Sequence, residues 1–373
     1  MTDDEKDTKQ LAPRENPVLV GHEAAEKRFL AAWRSGRMPH AWLITGPRGV
    51  GKATFAFRAA RFVLSGGGAA SAGPGLFGDF DDSAPGEGLF VPPDSPVFRR
   101  VARSSHGDLM TVQKSVNPDT KKLRTVVSVE DVRAAGEFMR LTASEGGWRV
   151  AVVDCADEMN LNAANALLKV LEEPPNRALM LVVSHAPGKL LATIRSRCCR
   201  LPLKRLDDGA VAGLLARMRP DLAPEDRAAI AALAEGSPGR ALTLAEEDGL
   251  TLYRQIMVLM SALPRPPAAA LHAFGDHLAR IGAEDRFRTA TELMAWWLGR
   301  AARAGARGQG EPAAIVAEER GCAARLLAAA GVDRWLEAWE KIVRLSDRTD
   351  RLNLDRKQVL LTMFHALQSA MRS

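Results

Sequence analysis

Residues 40–64, HAWLITGPRGVGKATFAFRAARFVL, constrain the fold more than any other stretch of this chain. The first six, His40 to Thr45, form a short, mostly apolar run that reads as a buried strand. Gly46, Gly49 and Gly51 follow, and Lys52 opens a segment with apolar residues at helical spacing. A strand entering a helix through a glycine-rich loop that ends in Gly-Lys is the context of a phosphate loop, G-x-x-x-x-G-K-[ST]. In such a loop, backbone N–H groups and the helix N-terminus hold phosphates, and the lysine reaches the outer ones.

The pattern is incomplete. The residue after the lysine normally supplies the hydroxyl that binds Mg²⁺, and here it is Ala53. Thr54 stands one residue late, about 100° further round the helix, and points elsewhere. A second strand is expected in WRVAVVDCADEMN, ending at Asp154, where an acid in phosphate-loop ATPases helps hold Mg²⁺. The next position often carries a water-activating glutamate; here it is Cys155, which cannot serve as a carboxylate base. Asp157 and Glu158 read as solvated acids at a helix start, where negative charge suits the dipole. The nucleotide-binding candidates are therefore Gly46, Gly49, Gly51, Lys52 and Asp154, in a degenerate site. The sequence leaves open whether ATP binds there without turnover.

Strands and helices alternate up to Leu203. Ser128 is a plausible N-cap for SVEDVRAAGEFMRL, NLNAANALLKVLEEPP is a helix stopped by Pro174 and Pro175, and ALMLVVSHAP is a third strand ending at Ser184. This alternation implies a parallel sheet with helices on both faces. Beyond Leu203 the text is helical throughout, with a natural boundary at Leu263 to Pro267. With 373 residues, more than one domain is expected. The divisions are a disordered tail at 1–16, an α/β domain at 17–203 with a Gly/Pro-rich insertion at 66–93, a small helical domain at 204–262, and an all-α domain at 263–373. The four cysteines, 155, 198, 199 and 322, form no C-x-x-C pair, so neither a zinc site nor a disulfide framework is expected. No apolar run approaches a membrane span, and the polar start lacks the features of a signal peptide, so a cytoplasmic protein is expected. The net charge of +6 permits nucleic-acid or acidic-protein partners but is weak evidence in an Arg-rich chain. Arg99, Arg100 and Arg103 form a small basic cluster whose simplest role is a solvated face.

NALLKVLEEPP and ATIRSRC, with GPRGVGK upstream, together resemble the clamp-loader branch of the AAA+ family. The likeness is strong from about Asn16 to Leu203 and fades through the helical segments. It implies an AAA+ phosphate-loop domain followed by a helical lid and a C-terminal collar. It also implies a place in a ring with gamma/tau-type ATPase and delta subunits, loading a sliding clamp onto primed DNA as part of the DNA polymerase III holoenzyme. Within the family, Asp154 lies the usual eleven residues before Asn165, which puts Cys155 in the glutamate's place. The arginine of the SRC motif, Arg197, is implied to act in trans on the neighbouring subunit's ATP, so no independent catalysis is expected. Three features depart from the active pattern: the pair Ala53 and Cys155, the lack of four zinc-binding cysteines after the first helix, and GSPGRAL, where Gly239 replaces the second-sensor arginine and Arg240 follows one later. An active gamma/tau-type ATPase and a DNA-binding structural protein without a motor partner remain as alternatives.

Overall fold

The computed structural model describes residues 11–67, 88–115, 124, 126–145, 147–308 and 311–371. Residues 1–10 of the expected tail and most of the expected insertion, 68–87, lie outside them. Two compact units form: Met1–Leu214 with Glu235–Gly239, and Leu215–Ala234 with Arg240–Ser373.

The first unit runs α1 (Glu23–Arg34), β1 (Ala41–Thr45), α2 (Lys52–Leu64), α3 (Pro96–Ala102), β2 (Leu109–Val112), α4 (Val129–Arg140), β3 (Arg149–Val153), α5 (Leu161–Glu172), β4 (Ala178–Ser184), α6 (Ala192–Arg197) and β5 (Cys199–Pro202). The five strands are all parallel, in the order β2-β3-β4-β1-β5. Strands β3 and β4 are buried along their whole length, as is all of β1 except Thr45. That burial is why they read as continuous apolar runs. Alternate residues of β1 serve opposite faces. Trp42 packs on Phe29 of α1, ring centroids 5.1 Å apart, and Phe29 meets Phe55 of α2 edge-on. Ala41 and Leu43 join the other cluster, with Val132 and Ala135 of α4 and Leu167 and Leu171 of α5. Helices thus cover both faces, the α/β phosphate-loop architecture expected of an AAA+ domain.

Two local arrangements anchor this unit. Ser128 caps α4 in a reciprocal box with Asp131, satisfying two N–H groups that the helix start leaves free. On α2, Arg61 is only 1% exposed. It donates to the carbonyls of Arg14 and Asn16 at 3.1 and 3.0 Å and lies over the Phe98 ring at 4.3 Å. Burial, and next the nearby Arg58, push its guanidinium down to about 9. Residues 14–16, within the segment expected as a tail, are therefore tied to the domain.

Past β5 every described regular element is helical. These are α7 (Asp208–Met218), α8 (Pro224–Ala234), α9 (Pro238–Glu246), α10 (Gly249–Ser261), α11 (Ala268–Ala279), α12 (Glu284–Ala306), α13 (Cys322–Ala329), α14 (Val332–Leu352) and α15 (Arg356–Ala370), with a 3₁₀ turn at Ala317–Glu319. Most of them build the second unit, whose core includes Tyr253, Phe287, Trp297 and Phe364. Glu319 is buried there but fully engaged, accepting from Trp297 Nε1 at 3.0 Å, Arg300 Nη1 at 2.7 Å and the Ile315 N–H at 2.8 Å. Among the described residues no helix is long and apolar enough to cross a membrane.

Candidate functional site

Strand register brings the sequence candidates to one edge of the sheet. Thr45 pairs with Ser184, and Val153 with Val182, so the loop after β1, Asp154 after β3 and His185 after β4 all leave the same end. Open α/β sheets bind ligands at that end, outside the carboxyl termini of the strands. Gly46 has φ 152°, and a Cβ there would stand 2.4 Å from the Leu203 carbonyl oxygen, so only glycine fits. Gly51, with φ 101°, caps α2 without a side-chain bond, leaving the first-turn N–H groups to a ligand or water. Lys52 is buried, and its Nζ donates to the Pro47 carbonyl at 2.5 Å, closing the loop on itself. Burial holds its pKa below the usual lysine value, against the attraction of Asp157, Cys155 and Asp154.

The loop is also held from outside. His22 Nε2 lies 2.7 Å from the Val50 carbonyl. Burial lowers the His22 pKa, so the ring is neutral and carries its proton on Nε2, the nitrogen that must donate. Ser237 Oγ donates to the Arg48 carbonyl at 3.0 Å, and the Gly239 N–H donates to the Gly49 carbonyl at 2.8 Å. A Cβ at Gly239 would stand 3.0 Å from Gly49 Cα and 3.1 Å from its oxygen. An arginine at this position, as in the family pattern, requires the loop to give way. The glycine and the tight loop contact belong together.

Beside the loop, the acids differ from the expectation. Asp157 is not solvated: its side chain is 1% exposed, and its carboxylate accepts the His185 N–H at 3.0 Å and faces His185 Nδ1 at 3.0 Å. Desolvation opposes its charge, yet Ser184, the His185 backbone and the His185 ring outweigh this and hold its pKa below the ordinary aspartate value. Arg48 Nη2 lies 3.1 Å from His185 Nε2 and 3.0 Å from Glu158 Oε1, and Lys114 also pairs with Glu158. A guanidinium only donates, so His185 Nε2 accepts and Nδ1 carries the proton toward Asp157. That is a neutral imidazole, in keeping with a pKa lowered chiefly by burial. Ser184, at the first-sensor position, is fully buried beside Asp157 and contributes to holding that carboxylate's pKa down.

Asp154 is the one carboxylate here whose pKa is raised, mainly by burial. Cys155 sits at φ 55° with its Sγ 3.6 Å from Asp154 Oδ1. Burial, then the charges of Asp154 and Glu158, push its thiol up to about 12, so it stays protonated and cannot take a proton from water. The backbone cradle fits a phosphate. Beside it, Ala53 offers no hydroxyl and Cys155 no carboxylate, while Asp154 is retained.

Arg197 ends α6 and is exposed at the surface. Its Nη2 pairs with Glu172 Oε1 at 2.9 Å, and its Nη1 donates to the Thr193 carbonyl at 3.2 Å. Glu172 belongs to the NALLKVLEEPP helix, so the two most specific sequence blocks meet in this pair. Flanking Ile194 and Cys198 are buried and fix the short helix beneath the guanidinium. Elsewhere, Arg100 pairs with Glu145. Trp335 is buried and donates to the Leu326 carbonyl at 3.0 Å. All four cysteines are free thiols, and no group of three or more potential metal ligands occurs among the described residues.

A family model described as DNA polymerase III, delta subunit, matches residues 90–207. The chain is 34% identical over 205 residues to the DNA polymerase III subunit delta' of Pseudomonas aeruginosa, covering 53% of each chain. It is 29% identical over 208 residues to the delta' subunit of Bacillus subtilis, covering 55% of this chain and 51% of that protein. It is also 29% identical over 210 residues to the gamma/tau subunit of Mycobacterium bovis, covering 56% of this chain and 32% of that one. The chain thus spans about half the length of the delta' relatives it matches.

Proposed function

We propose that this chain, a delta-prime-like protein of the clamp-loader type over its matched half, is a non-hydrolysing subunit that completes the ATP site of a neighbouring gamma/tau-type ATPase. The observation that carries the reading is Arg197, exposed and steered by Glu172, on a domain whose own site lacks the hydroxyl metal ligand and the glutamate base. A guanidinium delivered in trans neutralises charge developing on the transferred phosphoryl group, and it needs no ATP in the subunit that supplies it. In this reading the complex contains gamma/tau-type and delta subunits and places a sliding clamp on primed DNA within the DNA polymerase III holoenzyme.

The retained loop has a structural task. It is bound by His22, Ser237 and Gly239 and so joins three separated parts of the chain. Its N–H groups remain suited to holding ATP phosphates without turnover.

The similarity to gamma/tau subunits favours a second reading, an active ATPase. The purified chain separates the two. Phosphate release with Mg²⁺-ATP and primed DNA is expected at background, because Ala53 removes the hydroxyl ligand of Mg²⁺ and Cys155 replaces the water-activating base; turnover that disappears in Lys52→Ala establishes the active ATPase instead. The proposal also holds that no structural zinc is bound, since four ligands at set spacing are needed. Elemental analysis of the untagged protein is expected to find far less than one zinc per chain, and one zinc retained through dialysis against a mild chelator refutes this.

A further inference from the structure

The second unit carries a groove that the proposed function does not use. It lies between α12 and α14, has a volume of about 320 Å³, and is lined by Trp296, Trp339, Arg240, Arg303 and Glu292 over Gly299. A Cβ at Gly299 would stand 3.2 Å from Arg303 Nη1 and 3.5 Å from Trp339 Nε1, so the missing side chain is what keeps the floor open. Helix interiors disfavour glycine by about 1 kcal/mol relative to alanine. Along α14 the apolar stripe continues outward: Val332, Leu336, Trp339 and Val343 share one face at helical spacing, and Leu336 is 42% exposed.

We propose that this groove binds a short acidic peptide of a partner protein, with one large apolar side chain entering between Trp296 and Trp339 and flanking carboxylates meeting Arg240 and Arg303. Charge selects the occupant: two arginines line the groove against one glutamate, and guanidinium–carboxylate contacts are strong and directional. Size agrees, because the volume suits one or two side chains, the scale of a buried anchor in a peptide interface. Single-stranded nucleic acid fits less well. Base stacking needs an open aromatic face, and Trp296 already has the guanidiniums of Arg300 and Arg240 over its ring at 5.4 and 5.9 Å, with Tyr253 against its edge. Glu292 also opposes a phosphate backbone.

Peptide binding in this groove does not require the role of Arg197. Random dodecapeptides displayed on phage are selected on the full chain, and the enriched sequences are resynthesised with fluorescein for anisotropy. The expected result is a consensus of one large apolar residue among acids. Binding should weaken at least tenfold in Arg303→Glu, a surface change, and in Gly299→Leu, which fills the floor without altering charge. Circular dichroism of Arg303→Glu should match the parent, so its loss reads as binding rather than folding. Enrichment of no peptide, peptides without acids, binding unchanged within twofold in Arg303→Glu, or Arg303-dependent binding of labelled oligo-dT in place of peptide overturns the proposal.

Discussion

Replacing Arg197 by alanine is expected to remove one site's share of the DNA-stimulated ATPase activity of the reconstituted complex and to impair clamp loading while leaving the isolated chain folded. An arginine finger is worth ~10³ to 10⁵ in rate, or roughly 4 to 7 kcal/mol of barrier. The loss in the total rate will be smaller, because other ATP sites of the complex keep their own fingers. Folding should survive, since the side chain is exposed and its pair with Glu172 is a surface ion pair worth about 0 to 1 kcal/mol. Arg197→Lys should restore the activity only in part, because an ammonium lacks the planar fork. Glu172→Ala is the finer probe. It keeps the guanidinium but removes the group that orients it, so it should lower activity less than Arg197→Ala. Normal loading by a fully assembled Arg197→Ala complex, checked by gel filtration, removes this residue from the mechanism.

The second large effect is on stability. Gly46→Ala places a Cβ 2.4 Å from the Leu203 carbonyl oxygen, on a residue with φ 152°. Backbone strain of about 1 to 3 kcal/mol adds to overpacking of about 1 to 3 kcal/mol. Against a total stability of roughly 5 to 15 kcal/mol, that leaves a marginal protein. The contact cannot relax cheaply, because Leu203 is itself bonded through its N–H to the Thr45 carbonyl at 2.7 Å. Differential scanning fluorimetry should show a loss of roughly 5 to 20 °C, or insoluble protein. Gly36→Ala is the control: Gly36 also has positive φ, 68°, but nothing lies within 4 Å of its Cβ, so only the backbone cost of about 1 kcal/mol applies. Equal, small shifts in both variants contradict the packing account of the loop.

What the sequence disclosed follows from burial. Strands β1, β3 and β4 are covered on both faces, so their apolar runs were readable without partners. Strand β2 was not, because three of its four residues are only partly buried at a sheet edge, and β5 was not, because CRLP buries a single residue and ends in proline. The loop glycines were legible from spacing. The reason for Gly239 was not: it lies in a contact with Gly49 across 190 residues of chain. Asp157 shows the same limit. A local reading makes it a solvated acid near a helix start, whereas β4 brings Ser184 and His185 over it and buries it. The surface position of Arg197 was expected from its motif, but its tie to Glu172 depends on how α5 and α6 meet.

In the proposed function this chain acts through its exposed arginine and not through its own nucleotide site. Single-turnover ATP hydrolysis in the reconstituted complex tests it most directly, comparing the parent with Lys52→Ala and Arg197→Ala. The account predicts that Lys52→Ala hydrolyses ATP at the parent rate, while Arg197→Ala loses one site's worth of the fast phase. A fast phase lost in Lys52→Ala and kept in Arg197→Ala would mean that the chain hydrolyses its own ATP, and the account would be wrong.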